Sequence, residues 1–239
     1  MTKATQYLMA PGEPDDSVTN GFVNPVDIFN YLSPSAWVNN IVANTTGVDI
    51  FGYATDTFTG EWDALYKFGD ALTSLAQCLQ QIGIDIQRGM LELDQGWSGN
   101  AENSAYMYFS NLAAAVSGQQ AAFRQAADGY HTAAKGAWQL SNQLGNILQA
   151  IADKAILIGI SAAAGTATAE TGVGAIVGYG VAGYQALQLL ELVNKASTII
   201  NTAGSVIAAA FGGGMDAFNQ GINLSAVPLP STPYTQPGA

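Results

Sequence analysis

Cysteine and histidine are almost missing from this chain. Its 239 residues hold one of each, Cys78 and His131. No internal disulfide can form, and none of the usual zinc-ligand spacings is available, so no metal or cofactor is expected. Charge is scarce too: charged residues make up 10% of the chain, where an ordinary soluble domain carries about 25%. The few basic residues are scattered among more than twice as many acidic ones, giving a formal charge of −11. Nucleic acid is excluded as a partner, because phosphate neutralisation needs clustered Lys and Arg. Scarce charge does not mean disorder here, since 49% of the residues are hydrophobic and the chain is long enough to bury a core.

Proline is also missing over most of the length. The eight prolines are Pro11, Pro14, Pro25 and Pro34, then Pro228, Pro230, Pro233 and Pro237. Proline costs about 3 kcal/mol inside a helix, so its absence from Ser35 to Val227 predicts a mostly helical body. The flanks read differently. Residues 1–60 form an aromatic-rich, partly irregular lead-in, and residues 225–239 a Pro-rich extended tail. No basic region precedes an apolar run near Met1, so no cleaved Sec signal peptide is expected.

What is present is periodicity. Leu65, Leu72, Leu79, Ile86 and Leu93 recur every seven residues, with Phe68, Leu75 and Ile82 as companions three residues on. Asp63, Lys67, Asp70, Gln77, Gln81, Asp85 and Arg88 fall on the opposite, solvent side. This predicts a helix over 61–94, about 50 Å long at ~1.5 Å per residue. Gly96-Trp97-Ser98-Gly99-Asn100 breaks it, and Ser98 or Asn100 can cap the next helix. A second stripe runs Phe109, Val116, Phe123, Tyr130, Ala137, Leu144 and Ile151, with Leu112, Ala126, Ala133, Leu140 and Ile147 alongside. Gly118, Gly129 or Gly136 would be the place for a kink. Residues 61–154 therefore read as a long antiparallel helical hairpin with a Trp-x-Gly turn.

Residues 155–224 form a Gly/Ala-rich apolar helical region that folds against the hairpin in an all-α protein. Ala155–Ala169, Thr171–Leu190 and Ala196–Met215 carry no charge, and Glu170, Glu191 and Lys195 are the exceptions between them. Small residues recur every four positions, at Gly174, Gly178, Ala182 and Ala186, then at Gly204, Ala208 and Gly212. Such ladders let helices approach closely, in soluble cores and in membranes alike. Each uncharged run is about 20 residues, enough to cross a bilayer, yet rich in Ser, Thr, Asn, Gln and Gly and without Lys/Arg flanks. Both readings stand at this point: a buried layer of a soluble bundle, or a segment that inserts in a membrane and oligomerises.

A heptad helix, then Trp97-Ser98-Gly99, then a second heptad helix, resembles the WXG100 (ESAT-6-like) helical hairpins and their larger Esp and LXG-type relatives. The resemblance covers residues 61–151 or so, less than half the chain. It implies a non-enzymatic protein exported by a type VII secretion system, secreted or held at the cell surface and cytoplasmic before export. Its partners would be other helical proteins, copies of itself or the secretion machinery, and Trp97 and Gly99 would form the turn motif. The family's second signal, Tyr-x-x-x-Asp/Glu after the second helix, is missing, since Tyr130 is followed four residues later by Ala134. The match present is Tyr66-x-x-x-Asp70, on the first helix. Some larger members carry the tyrosine motif before the tryptophan motif, so Tyr66 and Asp70 are the candidate export pair. The remaining alternatives are an export signal on a partner, or a likeness of architecture alone.

Catalytic chemistry finds no foothold. His131 beside Tyr130 reads as a solvated surface residue, and Cys78 as a small apolar one. Gly172-Val173-Gly174 lacks the Gly-Lys-Ser/Thr of a phosphate loop. Glu102 suits a helix start, where negative charge is favoured. Phe29, Trp37, Phe51, Phe58 and Trp62 read as a packing cluster. Trp97 itself has two compatible roles, plugging the end of the hairpin or being recognised there.

Overall fold

The computed structural model describes residues 3–12, 36–167, 173–221 and 227. Beyond a single 3-10 turn at Ala4–Tyr7, the ordered elements are α-helices: α1 (Ala36–Thr46), α2 (Ile50–Phe58), α3 (Trp62–Asp94), α4 (Asn100–Ala167) and α5 (Val173–Gly221). There is no strand among the described residues. The fold is all-α. Phe29 lies outside the described residues, as does the Pro-rich tail apart from Val227.

Local chemistry sets the short elements. Gly47, at φ +77°, sits where an L side chain is strained, and its N–H closes α1 on the Ala43 carbonyl at 2.8 Å. Asp49 then opens α2, its carboxylate accepting from the Gly52 N–H at 3.0 Å. The Trp62 indole N–H donates to the Phe58 carbonyl at 3.0 Å, tying the end of α2 to the start of α3. The second heptad helix runs on past residue 154. It is one continuous helix of 68 residues, so 155–167 extend α4 and do not begin a new element.

The chain divides into two compact units. The first comprises residues 1–13, 64–132 and 209–239, and the second residues 14–63 and 133–208.

In the first unit, α3 and α4 pair antiparallel. Gln80 meets Gln120 at 2.7 Å, Asp70 meets His131 at 3.0 Å, and Gly83 faces Ser117 and the Ala113 carbonyl. Facing residue numbers thus sum to about 200, which centres the hairpin at Gly99 and Asn100. Leu72, Ala126 and Ala127 form the core, with Phe123, Tyr130 and Phe218 packed against it. Tyr130 makes edge contacts with Phe68 of α3 and Phe211 of α5, so three helices meet there.

The buried line of α3 is shifted from the expected one. Leu72 is buried as predicted, but its companions are Gly69, Ala76, Gly83 and Met90, while Phe68 is about half exposed. Leu93, assigned to the stripe, is exposed, and Gln81, assigned to solvent, is nearly buried with its amide donating to Asp85 at 2.9 Å. The cause is close approach. An added Cβ at Gly83 would lie 2.8 Å from the Ala113 carbonyl oxygen, and one at Gly69 would lie 3.1 Å from that of Ala127. Where backbones come this near, the seam belongs to the smallest residues, not to the largest apolar ones.

The second unit packs α1, α2, the latter part of α4 and the earlier part of α5. Val42, Ile50, Ala54 and Phe58 are fully buried. On α4 the buried line is Ala137, Ser141, Leu144, Leu148, Ile151 and Ala155, and on α5 it is Leu189, Val193, Ala196, Ile200 and Ala203. Both alternate steps of three and four, as coiled-coil seams do. Gly136 faces Val206, and the Lys154 ammonium donates to Gln185 at 2.8 Å. The register therefore sets Leu144 opposite Ala196 and Ile151 opposite Leu189. Leu140 and Ile147, expected in this seam, flank it half-buried; Ser141 and Leu148 take their places.

Candidate functional site

The turn between α3 and α4 carries Trp97 and Gly99. Helix α3 ends with the Gly96 N–H donating to the Leu93 carbonyl at 3.1 Å. Gly99, at φ +116°, turns the chain, and its carbonyl accepts the first bond of α4 from the Asn103 N–H at 3.1 Å. Gly99 therefore holds the cap position that the sequence assigned to Ser98 or Asn100. The backbone angle explains this, since a side chain there would be strained while glycine caps nearly as well. Trp97, at the apex, is 42% exposed.

The rim of the apex is acidic. Glu92 and Asp94 are exposed in the last turn of α3, which has no basic residue to offset its dipole. Glu102, in the first turn of α4, is nearly buried. Its carboxyl is held above the ordinary range, first by loss of water and then by the hydrogen bond and negative charge of Asp94. The helix start does favour a negative charge, but these two effects outweigh it. A raised carboxyl binds its proton more tightly in the folded than in the unfolded chain. Stability is then greatest below the ordinary value near ~4.3 and falls as pH rises toward the raised one. Glu102→Gln is expected to melt higher than the wild type at pH 7 and to lose less stability between pH 4 and pH 7. Thermal melts at the two pH values check this.

The candidate pair Tyr66 and Asp70 lies elsewhere. Both side chains converge on His131 of α4: Asp70 Oδ1 is 3.0 Å from His131 Nε2, and the Tyr66 ring lies 4.4 Å from the imidazole, centroid to centroid. An ionised Asp70 can only accept, so Nε2–H is the donor. His131 is 19% exposed on its side chain, not the solvated surface residue expected. Gly69 makes the contact possible, because a Cβ there would lie 2.6 Å from His131 Nε2. Sequence reading misses this triangle because Asp70 and His131 are 61 residues apart; the i+j register of the hairpin is the signal that finds it. His131→Ala is expected to cost about 1–2 kcal/mol, read by urea unfolding, because it removes both contacts at once.

Tyr66 and Trp97 are not brought together. Tyr66 is in the first turns of α3 and Trp97 lies just past its last residue, about 40 Å away at ~1.5 Å per residue.

No family model, curated protein or solved structure matches the chain. The geometry of its own residues is what speaks to function.

Among the described residues, the second half of the small-residue ladder takes little part in packing. Gly204 and Gly212 face open space, Ala208 is exposed, and Ala182 and Ala186 are half-buried. The surroundings of Gly174 and Gly178 lie outside the described residues. Close helix approach falls instead at Gly69, Gly83, Gly129 and Gly159. Phe51, Phe58 and Trp62 of the lead-in cluster are buried, whereas Trp37 covers Gly159 and stays 51% exposed. Cys78 is a buried free thiol. No group of three or more His, Cys, Asp or Glu able to hold a metal occurs among the described residues.

Proposed function

We propose that this chain is a non-enzymatic, type VII-exported helical protein that acts through protein–protein contacts, with the Trp97 turn as its recognition element. The observation that carries the reading is an exposed tryptophan at the apex of a helical hairpin, on a turn whose backbone demands Gly99. The 42% of the side chain that stands in water contributes nothing to the fold. Tryptophan is the residue type that most often anchors a protein interface. Exposed Glu92 and Asp94 beside it fit a partner whose apolar pocket has a basic rim.

Tyr66 and Asp70 enter this reading in a second role. Held by His131, they fix the far end of α3 against α4 and present a half-exposed Tyr–Asp face there. Export of the tagged chain from its native host, with the type VII secretion ATPase intact or deleted, tests the proposal. Loss of the extracellular chain in the deletion, with its cytoplasmic level maintained, is the expected result; undiminished export would reject it.

A further inference from the structure

The seam between α3 and α4 ends on two carboxyls. Toward α3, helix α4 presents Ala113, Ser117, Gln120, Ala127 and His131, each facing a residue of α3. Carried toward the turn in the same steps of three and four, that line passes Tyr106 and reaches Glu102. The line of α3 through Gly83 and Met90 reaches Asp94 in one further step. Asp94 lies eleven residues beyond Gly83, and Glu102 eleven residues before Ala113, which Gly83 faces. Eleven residues are about three helical turns, so the register of that contact repeats at Asp94 and Glu102. Their side chains meet there in a hydrogen bond, and Glu102 is 7% exposed. Two ionised carboxylates can only accept, so the bond requires a proton on one of them.

We infer that Asp94 and Glu102 form a proton-held latch across the base of the Trp97 turn, closed by one shared proton and opened by its loss. The latch brackets the turn, since Asp94 is the last residue of α3 and Glu102 stands in the first turn of α4. While it is closed, the Gly96 N–H bonds the Leu93 carbonyl and the Asn103 N–H bonds that of Gly99. Loss of the proton sets two negative charges against each other where Glu102 is short of water, and the helix ends move apart. The Glu102 carboxyl is held above its ordinary range by loss of water and then by Asp94, the direction a proton-sharing pair requires. Glu92 is exposed two residues before Asp94, Arg88 meets Asp85 at 3.5 Å, and α4 carries no further charge until Arg124. Tyr106 is the next titratable side chain along α4, and Lys3 and Asp216 belong to the same compact unit. Among the described residues, Asp94 supplies the charge that acts on Glu102.

The bearing of the latch on recognition rests on Trp97 being the recognition element. The latch itself is read on the purified full-length chain, so either can fail without the other. Amide exchange at Gly96 and Asn103, expressed as protection factors, is followed by nuclear magnetic resonance from about pH 4 to about pH 8 with EDTA present. In the wild type, protection of both amides should fall at least about threefold as pH rises through the Glu102 titration. The Trp97 indole signal should shift over the same range. Glu102→Gln and Asp94→Asn, each with an amide that can donate across the latch, should hold the high protection at every pH. Glu92→Gln, at an exposed neighbour, should keep the wild-type transition. Circular dichroism verifies the helix content of each variant. Wild-type protection that does not change with pH overturns the inference, as does a transition that survives Glu102→Gln. A transition that Glu92→Gln removes as fully would assign it to the net charge of the apex and overturn the latch.

Discussion

Replacing Trp97 with alanine should cut export at least about tenfold while leaving the protein nearly as stable as before. The two halves of this expectation have separate causes. The ring is 42% exposed at the hairpin apex, so its loss opens no enclosed cavity, and the change is expected to move stability by about 1 kcal/mol or less. Helix content is therefore expected to stay put and the thermal midpoint to move little. A tryptophan that anchors an interface, by contrast, carries about 2 kcal/mol or more of binding, which is a factor of roughly 30 in affinity. Trp62 provides the opposite case in the same chain. It is 7% exposed and its indole N–H is satisfied by the Phe58 carbonyl. Trp62→Ala should destabilise the fold by about 3–5 kcal/mol and lower export only through loss of folded protein. Export assays beside thermal melts separate the two.

Gly83→Ala should be the most destabilising of the small substitutions in the hairpin. A methyl group at this position would overlap the Ser117 hydroxyl and come within 2.8 Å of the Ala113 carbonyl oxygen. The serine can rotate away, but the carbonyl belongs to the backbone of α4, and the helices must part to admit the new atom. A loss of about 2–3 kcal/mol is expected, read as a lowered urea midpoint with little change in slope. Gly118 sets the comparison. It is exposed on α4, and no neighbouring atom lies within 4 Å of where its Cβ would be. Gly118→Ala should raise stability by about 0.5–1 kcal/mol through helix propensity alone. Opposite signs from one chemical change, at two glycines of one hairpin, would locate the close approach between α3 and α4.

Those glycines also mark how far the sequence can be read. The helices themselves are plain in it, because a seven-residue recurrence of Leu and Ile together with a long absence of proline admits little else. The boundary of α3 at Asp94 and the turn at Trp97 are equally legible, since Gly96 and Gly99 fall together with the end of the seven-residue recurrence. The companion seams differ by one residue in both helices. The pattern points to Phe68, Leu75 and Ile82 where Gly69, Ala76 and Gly83 lie, and to Leu140 and Ile147 where Ser141 and Leu148 lie. Ranking positions by apolar size favours the step of three, whereas tight helix contact buries small residues at the step of four. The Tyr66–Asp70–His131 triangle is hidden for a different reason. Each residue reads as an ordinary surface position until the hairpin register brings the two helices face to face.

The central claim, that the apex of the hairpin is what the export machinery meets, has a direct test. A photo-reactive amino acid is placed at Trp97 or, as a control, at Asn111, which is exposed farther along α4, and cells are irradiated while they export the chain. The account predicts an adduct with a component of the secretion apparatus from position 97 and none from position 111. Equal adducts from both positions, or none from 97 in cells that still export the protein, would contradict it.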